Sequence, residues 1–167
     1  MPKSDQGVFD GRYSIIPRTL IFVLRGDEVL MIKGAPSKRL WANLYNGIGG
    51  HIDRGEDALS AARRELYEET GLKDVPLVLA GTVMIDAGGQ KGIGLFVFRG
   101  EYTQGSLRPS PEGQLEWVPS GALSNYPLVE DLSVLLPRIL QMKPGDPPFS
   151  ALYFYDERDQ LQIVFGA

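Results

Sequence analysis

The 167-residue chain has no cysteine and one histidine, His51. Without cysteine there are no disulfides, no thiolate nucleophile and no iron–sulfur ligands. A single histidine excludes a polyhistidine zinc site and makes a Ser-His-Asp triad a poor expectation. No apolar run approaches the roughly 18–20 residues of a membrane span, and the first residues lack the apolar segment of a signal peptide. Basic residues are not in excess either. Against 17 Lys and Arg stand 21 Asp and Glu, a net charge of −4, so the footprint expected for a nucleic-acid polymer is missing. These absences point to a cytoplasmic protein with neither a membrane nor a nucleic-acid partner.

The chain is 43% hydrophobic, enough for one domain with a substantial core. Residues 1–16 are polar and Gly-containing at first and read as a flexible arm. Residues 18–25 (RTLIFVLR) and 28–33 (EVLMIK) read as strands joined by a hairpin turn at Gly26-Asp27. A loop over 34–44 carries Lys38, Arg39 and Trp41, and 45–51 (YNGIGGH) reads as a short Gly-rich strand. Further strands are expected over 77–85, 92–102 and 114–118. A second amphipathic helix over 130–142 turns Leu132, Leu135, Leu136 and Ile139 inward, with Pro137 able to kink or end it. Residues 150–156 and 160–165 alternate as a terminal hairpin. Strands on both sides of one long helix, with another helix late in the chain, predict a sheet covered by helices on two faces.

The most informative stretch is residues 50–72, GHIDRGEDALSAARRELYEETGL. Asp57 is placed to cap a helix and Gly71 to stop it. At 100° per residue Leu59, Ala62, Leu66 and Thr70 share a buried stripe. Glu65, Glu68 and Glu69 share a second stripe, with Glu56 just before the helix. Like charges at i, i+4 destabilise a helix by a few tenths of a kcal/mol per pair. Such crowding suits a hard divalent cation, since Mg²⁺ takes carboxylate oxygens, waters and substrate phosphates. A solvated acidic helix face is the plain alternative.

The same stretch resembles the signature of the Nudix hydrolases, G-x5-E-x7-R-E-U-x-E-E-x-G-U with U aliphatic. It matches at Gly50, Glu56, Arg64, Glu65, Leu66, Glu68, Glu69, Gly71 and Leu72. The resemblance implies an α/β fold, a Nudix-type α/β/α sandwich with a mixed central sheet, here with a C-terminal β-hairpin added. It divides the chain into an arm (1–16), the hydrolase domain (17–142) and a hairpin extension packed on the same domain (143–167). It implies hydrolysis of a nucleoside diphosphate-linked substrate with Mg²⁺, or Mn²⁺, held by Glu56, Glu65, Glu68, Glu69 and the Gly49 carbonyl. Arg64 would fix a carboxylate by charge-assisted hydrogen bonds. The base that activates water is left open among Glu69, Glu68 and Glu112, the last lying in the loop before a Glu-Trp strand, with Glu116 in reserve.

Around the signature the chain resembles the MutT branch, particularly enzymes that clear oxidised purine nucleoside triphosphates. By that resemblance Asn46 reads the purine, Glu130 and Asp131 face the base, and Lys33 lies near the phosphates. Plain alternatives are a turn-satisfying Asn46, acids favouring a helix N-terminus and a solvated Lys33. Tyr45, Glu130 and His51 depart from that group's Trp, Asp and Lys. The expected reaction converts a nucleoside triphosphate such as 8-oxo-dGTP to monophosphate and pyrophosphate, by a monomer or homodimer. The rivals are a pyrophosphatase for ADP-ribose or a nucleotide sugar, and a catalytically silent Nudix module that binds a nucleotide or a partner.

Overall fold

The structure, a computed structural model, describes residues 2–8 and 10–166. Met1 and Phe9 of the expected arm and Ala167 of the expected extension lie outside the described residues. Strands β1 (Ser14–Arg25) and β2 (Glu28–Gly34) form the hairpin read from Gly26-Asp27, with Arg25 opposite Glu28. Gly26 has φ 61°, the left-handed conformation that so tight a turn requires. The first three residues of β1 were expected in the arm. They pair instead with Lys91, Gly92 and Ile93. Ile15 and Ile16 remain exposed there, so their apolar character does not report burial.

Past their turn β1 and β2 diverge, and a third segment wedges between them. Strand β3 (Tyr45–Asn46) bonds β2 at Lys33 and Ile32. The chain then crosses to β1, where Ile48 pairs with Ile21 and the Gly50 carbonyl accepts from the Thr19 N–H at 2.8 Å. The strand expected over 45–51 is thus two residues long and continues only as isolated bridges. Its glycines permit a close approach: a Cβ on Gly47 would lie 2.8 Å from Leu20 and Phe22, and one on Gly49 would overlap the Thr19 carbonyl.

Strands β4 (Leu77–Asp86), β5 (Lys91–Glu101), β6 (Gly113–Pro119), β7 (Phe149–Tyr155) and β8 (Leu161–Phe165) complete one mixed sheet. Its order is β3-β2-β1-β5-β4-β7-β8, with β6 antiparallel along the remaining edge of β2. The pairs β1–β5 and β4–β7 are parallel. The terminal hairpin therefore prolongs the main sheet beside β4.

Helix α1 (Ala58–Thr70) covers one face and α2 (Leu132–Gln141) the other. Asp57 accepts from Leu59 N–H and Ser60 N–H at 3.0 Å, a cap worth about 1 kcal/mol. Gly71 ends α1 with φ 81°. The inward residues of α1 are Ala61, Ala62, Leu66 and Thr70, and Leu59, expected inward, is only partly covered. Alternation along β1 divides the core: Ile21 and Val23 face α1, whereas Leu20, Phe22 and Leu24 face α2 with Leu132, Leu135, Leu136 and Ile139. Pro137 is exposed and does not end α2. A 3₁₀ turn over Ser120–Asn125, not foreseen from the sequence, leads to Leu128, which bridges Tyr45. Among the described residues no helix is long and apolar enough to cross a membrane.

Candidate active site

One guanidinium organises most of the acidic cluster. Arg64 Nε and Nη2 donate to the two oxygens of Glu56 at 2.8 and 2.9 Å, a bidentate pair. Its Nη1 donates to Glu65 at 2.8 Å and Glu68 at 3.2 Å, and Nη2 also reaches the His51 carbonyl at 3.0 Å. Arg64 thereby ties α1 to the loop that precedes it. Its guanidinium, with help from the Asp53 N–H, holds Glu56 below the usual carboxylate range. The three partners in turn push the Arg64 pKa above its ordinary value. Glu65 is well covered, at 14% exposure, whereas Glu68, at 57%, is open to solvent.

Glu69 differs from its neighbours. Among the described residues it takes no hydrogen bond from Arg64, and it lines a small open cleft. Ile32, Gly34, Lys38, Leu40, Trp41, Leu44, Asn46, Gly47 and Gly49 line the rest of that cleft. Burial pushes Glu69 up to about 7, and the charges of Glu65 and Glu112 add to the rise. The Gly49 N–H and Lys38 oppose it. Glu112 thus stands within electrostatic reach of Glu69 and ion-pairs with Lys38, which lines the cleft. Glu116 is placed elsewhere. Its carboxylate accepts from the hydroxyls of Tyr45 at 2.6 Å and Tyr126 at 3.2 Å, and the first of these bonds helps push Tyr45 up to about 12.

The four residues expected to contact substrate divide between the two faces of the sheet. Asn46 pairs with Ile32 on the α1 side and lines the cleft; its Oδ1 accepts from the Gly47 N–H at 2.8 Å, which leaves the amide NH₂ for a ligand. Lys33 pairs with Tyr45 on the α2 side, its Nζ 5.7 Å from the Tyr45 ring centroid. Asp131 stands at the N-cap position of α2, where burial pushes it up to about 6. Glu130 is exposed beside it.

The cleft also contains Lys38 and Trp41, which sequence reasoning noted but did not assign. Trp41 and Asn43 have φ of 58° and 62°, conformations that cost a bulky L-residue of order 1–2 kcal/mol. Hydrogen bonds from Asn43 N–H to Gly34 O at 2.9 Å and from Leu44 N–H to Trp41 O at 3.1 Å hold the loop in place. No periodicity in the sequence signals such a loop.

The donors on α1 and its approach fit a hard divalent cation. They are oxygens throughout, and Gly50 leaves space where a Cβ would lie 2.5 Å from a Glu65 carboxylate oxygen. The mutual repulsion of Glu65 and Glu69 is also what a cation would relieve. Among the described residues no three His, Asp or Glu side chains form a ready-made cage, because Glu56, Glu65 and Glu68 turn toward Arg64. Mg²⁺ needs none, since one or two carboxylates with waters and substrate phosphates satisfy it.

Comparison with known proteins follows the same line. The model of the NUDIX domain matches residues 15–139. The oxidized purine nucleoside triphosphate hydrolase of Mus musculus is 29% identical over 126 residues, spanning 75% of this chain and 80% of that protein. The mutator MutT protein of Bacillus halodurans superposes with a TM-score of 0.75 at 23% identity, covering 90% of this chain and 97% of that one. The NUDIX domain of Shewanella oneidensis NrtR, solved with ADP ribose, gives a TM-score of 0.64 at 16% identity over 84% and 98% of the two chains. At such identities the two structures speak for the fold alone.

Proposed function

The chain belongs to the Nudix family and is a pyrophosphohydrolase of nucleotides, and on that premise we propose that it cleaves a purine nucleoside triphosphate to monophosphate and pyrophosphate. An oxidised purine such as 8-oxo-dGTP is the preferred substrate. The observation that carries this reading is the division of labour on α1. Arg64 holds Glu56, Glu65 and Glu68, while Glu69 is left facing the cleft.

Hydrolases of this family generally use a divalent cation; here, taken as Mg²⁺, it would be held by residues from among Glu56, Glu65, Glu68, Glu69 and the Gly49 carbonyl. When bound, it screens the phosphate oxygens and acidifies water. The protein's own groups do the rest. Arg64 keeps Glu65 in one rotamer, and Lys38 brings positive charge to the mouth through which a polyphosphate enters. Glu69 takes the proton as the water oxygen bonds to phosphorus and the bond to the neighbouring phosphate breaks, releasing pyrophosphate. Glu112 and Glu68 are second to it, because Lys38 holds the one and solvent surrounds the other.

The substrate reading draws support from the murine relative and from Asp131, a partly buried carboxyl at the start of α2 that the phosphate chemistry does not need. Product analysis by phosphorus NMR tests it. Pyrophosphate from 8-oxo-dGTP or dGTP is the expected result. Turnover confined to ADP-ribose or a nucleotide sugar, with a sugar phosphate released, would overturn it.

A further inference from the structure

Glu116, the acid of the Glu-Trp strand, takes no part in the cleft, yet two phenols converge on it. Its Oε2 accepts from the Tyr45 hydroxyl at 2.6 Å and its Oε1 from the Tyr126 hydroxyl at 3.2 Å. The two rings meet edge to face, their centroids 5.0 Å apart. Strand register shows what the shorter bond spans. Glu116 stands opposite Met31 and Tyr45 opposite Lys33, so β6 and β3 lie on the two edges of β2. The Tyr45 phenol therefore straps β3 to β6 across β2, two strand spacings away, on the side where Met31 joins the α2 core.

Little else holds β3 to β2 at this point. The strand is two residues long, and the Tyr45 peptide groups serve another segment. The Tyr45 N–H donates to the Pro127 carbonyl at 2.8 Å, and the Tyr45 carbonyl accepts from the Val129 N–H at 3.0 Å. The next residue, Asn46, sends its side chain to the opposite face, where it lines the cleft with Glu69. Its Oδ1 accepts from the Gly47 N–H at 2.8 Å, so the direction of the amide NH₂ follows the backbone of β3. Whatever shifts Tyr45 shifts that amide.

We propose that Glu116 is a positioning residue for the cleft: by holding the Tyr45 phenol it fixes β3 and aims the Asn46 amide, without touching substrate. The inference rests on reading the substrate as a nucleotide that Asn46 contacts. A carboxylate suits the task because each oxygen accepts from one phenol, one on β3 and one at the start of the 126–129 segment that bonds Tyr45. The role is separate from proton transfer and cation binding, since Glu116 and Glu69 stand on opposite faces of the sheet.

Steady-state kinetics on the full chain test this with a double-mutant cycle. Glu116→Ala should raise KM for dGTP about five- to twentyfold, the scale of a lost base contact. Because only binding is disturbed, kcat should stay within about threefold. Glu116→Gln keeps an oxygen that accepts from Tyr45, so KM should return to within about twofold of wild type. Tyr45→Phe removes the hydroxyl alone and should repeat the rise in KM, which serves if Glu116→Ala does not fold. In an Asn46→Ala chain no amide is left to aim, so Glu116→Ala should add less than about twofold. Losses that multiply in the double variant, a lowered melting temperature with KM intact, or a fall in kcat alone would each overturn the proposal. A wild type that hydrolyses only ADP-ribose loses the proposed function, and the same cycle read on ADP-ribose then decides for or against Glu116.

Discussion

On the α1 face Arg64 commits three nitrogens to Glu56, Glu65, Glu68 and the His51 carbonyl, whereas on the α2 face Arg18 Nε and the Tyr153 hydroxyl are buried with no partner. The first arrangement is complete within the protein. It fixes carboxylates for chemistry that every polyphosphate shares, so its parts occur at constant spacing along one helix. The second has no partner among the described residues, and its parts come from β1 and β7. Groups that share one helix can be written as a motif; groups on β1 and β7 are brought to one face only by strands far apart in sequence.

The sharpest way to break this comparison is at Glu69. Glu69→Gln keeps the shape and removes the proton acceptor, so kcat should fall about 10²–10⁴-fold with the thermal transition in place. An unchanged rate would take Glu69 out of the mechanism. Next comes Arg64→Lys, which retains charge but not the bidentate fork. Turnover should drop about 10–100-fold, as when a supporting partner of a metal ligand is lost, with KM for nucleotide nearly constant. A change in KM alone would mean that Arg64 contacts substrate.

The remaining effects, one on the α2 face and two in the cleft, are smaller and show in pH dependence, base preference or stability. Burial raises Asp131 from an unfolded value near 3.8 to about 6, so its neutral form is the one the fold favours. Its contribution to stability is complete below about pH 4 and is lost as pH rises through 6. Asp131→Asn should therefore flatten the stability profile between pH 4 and 6, an effect on the order of 2 kcal/mol, read by denaturant titration. Asn46→Ala should shift the ratio of kcat/KM between purine nucleotides about three- to tenfold, the scale of one lost base contact. Equal losses on all nucleotides would place Asn46 in the backbone turn alone. Smallest of all, Lys38→Ala should alter stability by less than about 0.5 kcal/mol, because its pair with Glu112 is exposed.

Much of the α1 face was legible in advance. Asp57 and Gly71 bound the helix as read, because caps are local chemistry, and Gly26-Asp27 turned the first hairpin for the same reason. Leu59 packs on the α1-side core but is only partly covered, while Ala61 is fully buried; a single-helix projection missed this because it does not contain the sheet. Ser14–Ile16 joined β1 through backbone pairing with β5, which leaves no mark on side-chain pattern. Tyr153 read as one more residue of an alternating strand. That its hydroxyl is buried without a partner depends on β7 lying parallel to β4, a pairing between segments far apart in sequence.

That parallel pairing has a consequence for how the molecule comes into being. Part of the seat of α2 is supplied by Phe149, Ala151 and Tyr153, which leave the ribosome after the helix they support. Helix α1 packs on residues of β1, β2 and β5, whereas the layer under α2 also needs β7, which follows that helix in the chain. Contacts so distant along the chain close slowly, and until they do the apolar side of β4 stays open to water and to other chains. Synthesis of this protein therefore has a vulnerable interval, and it ends only when β7 arrives.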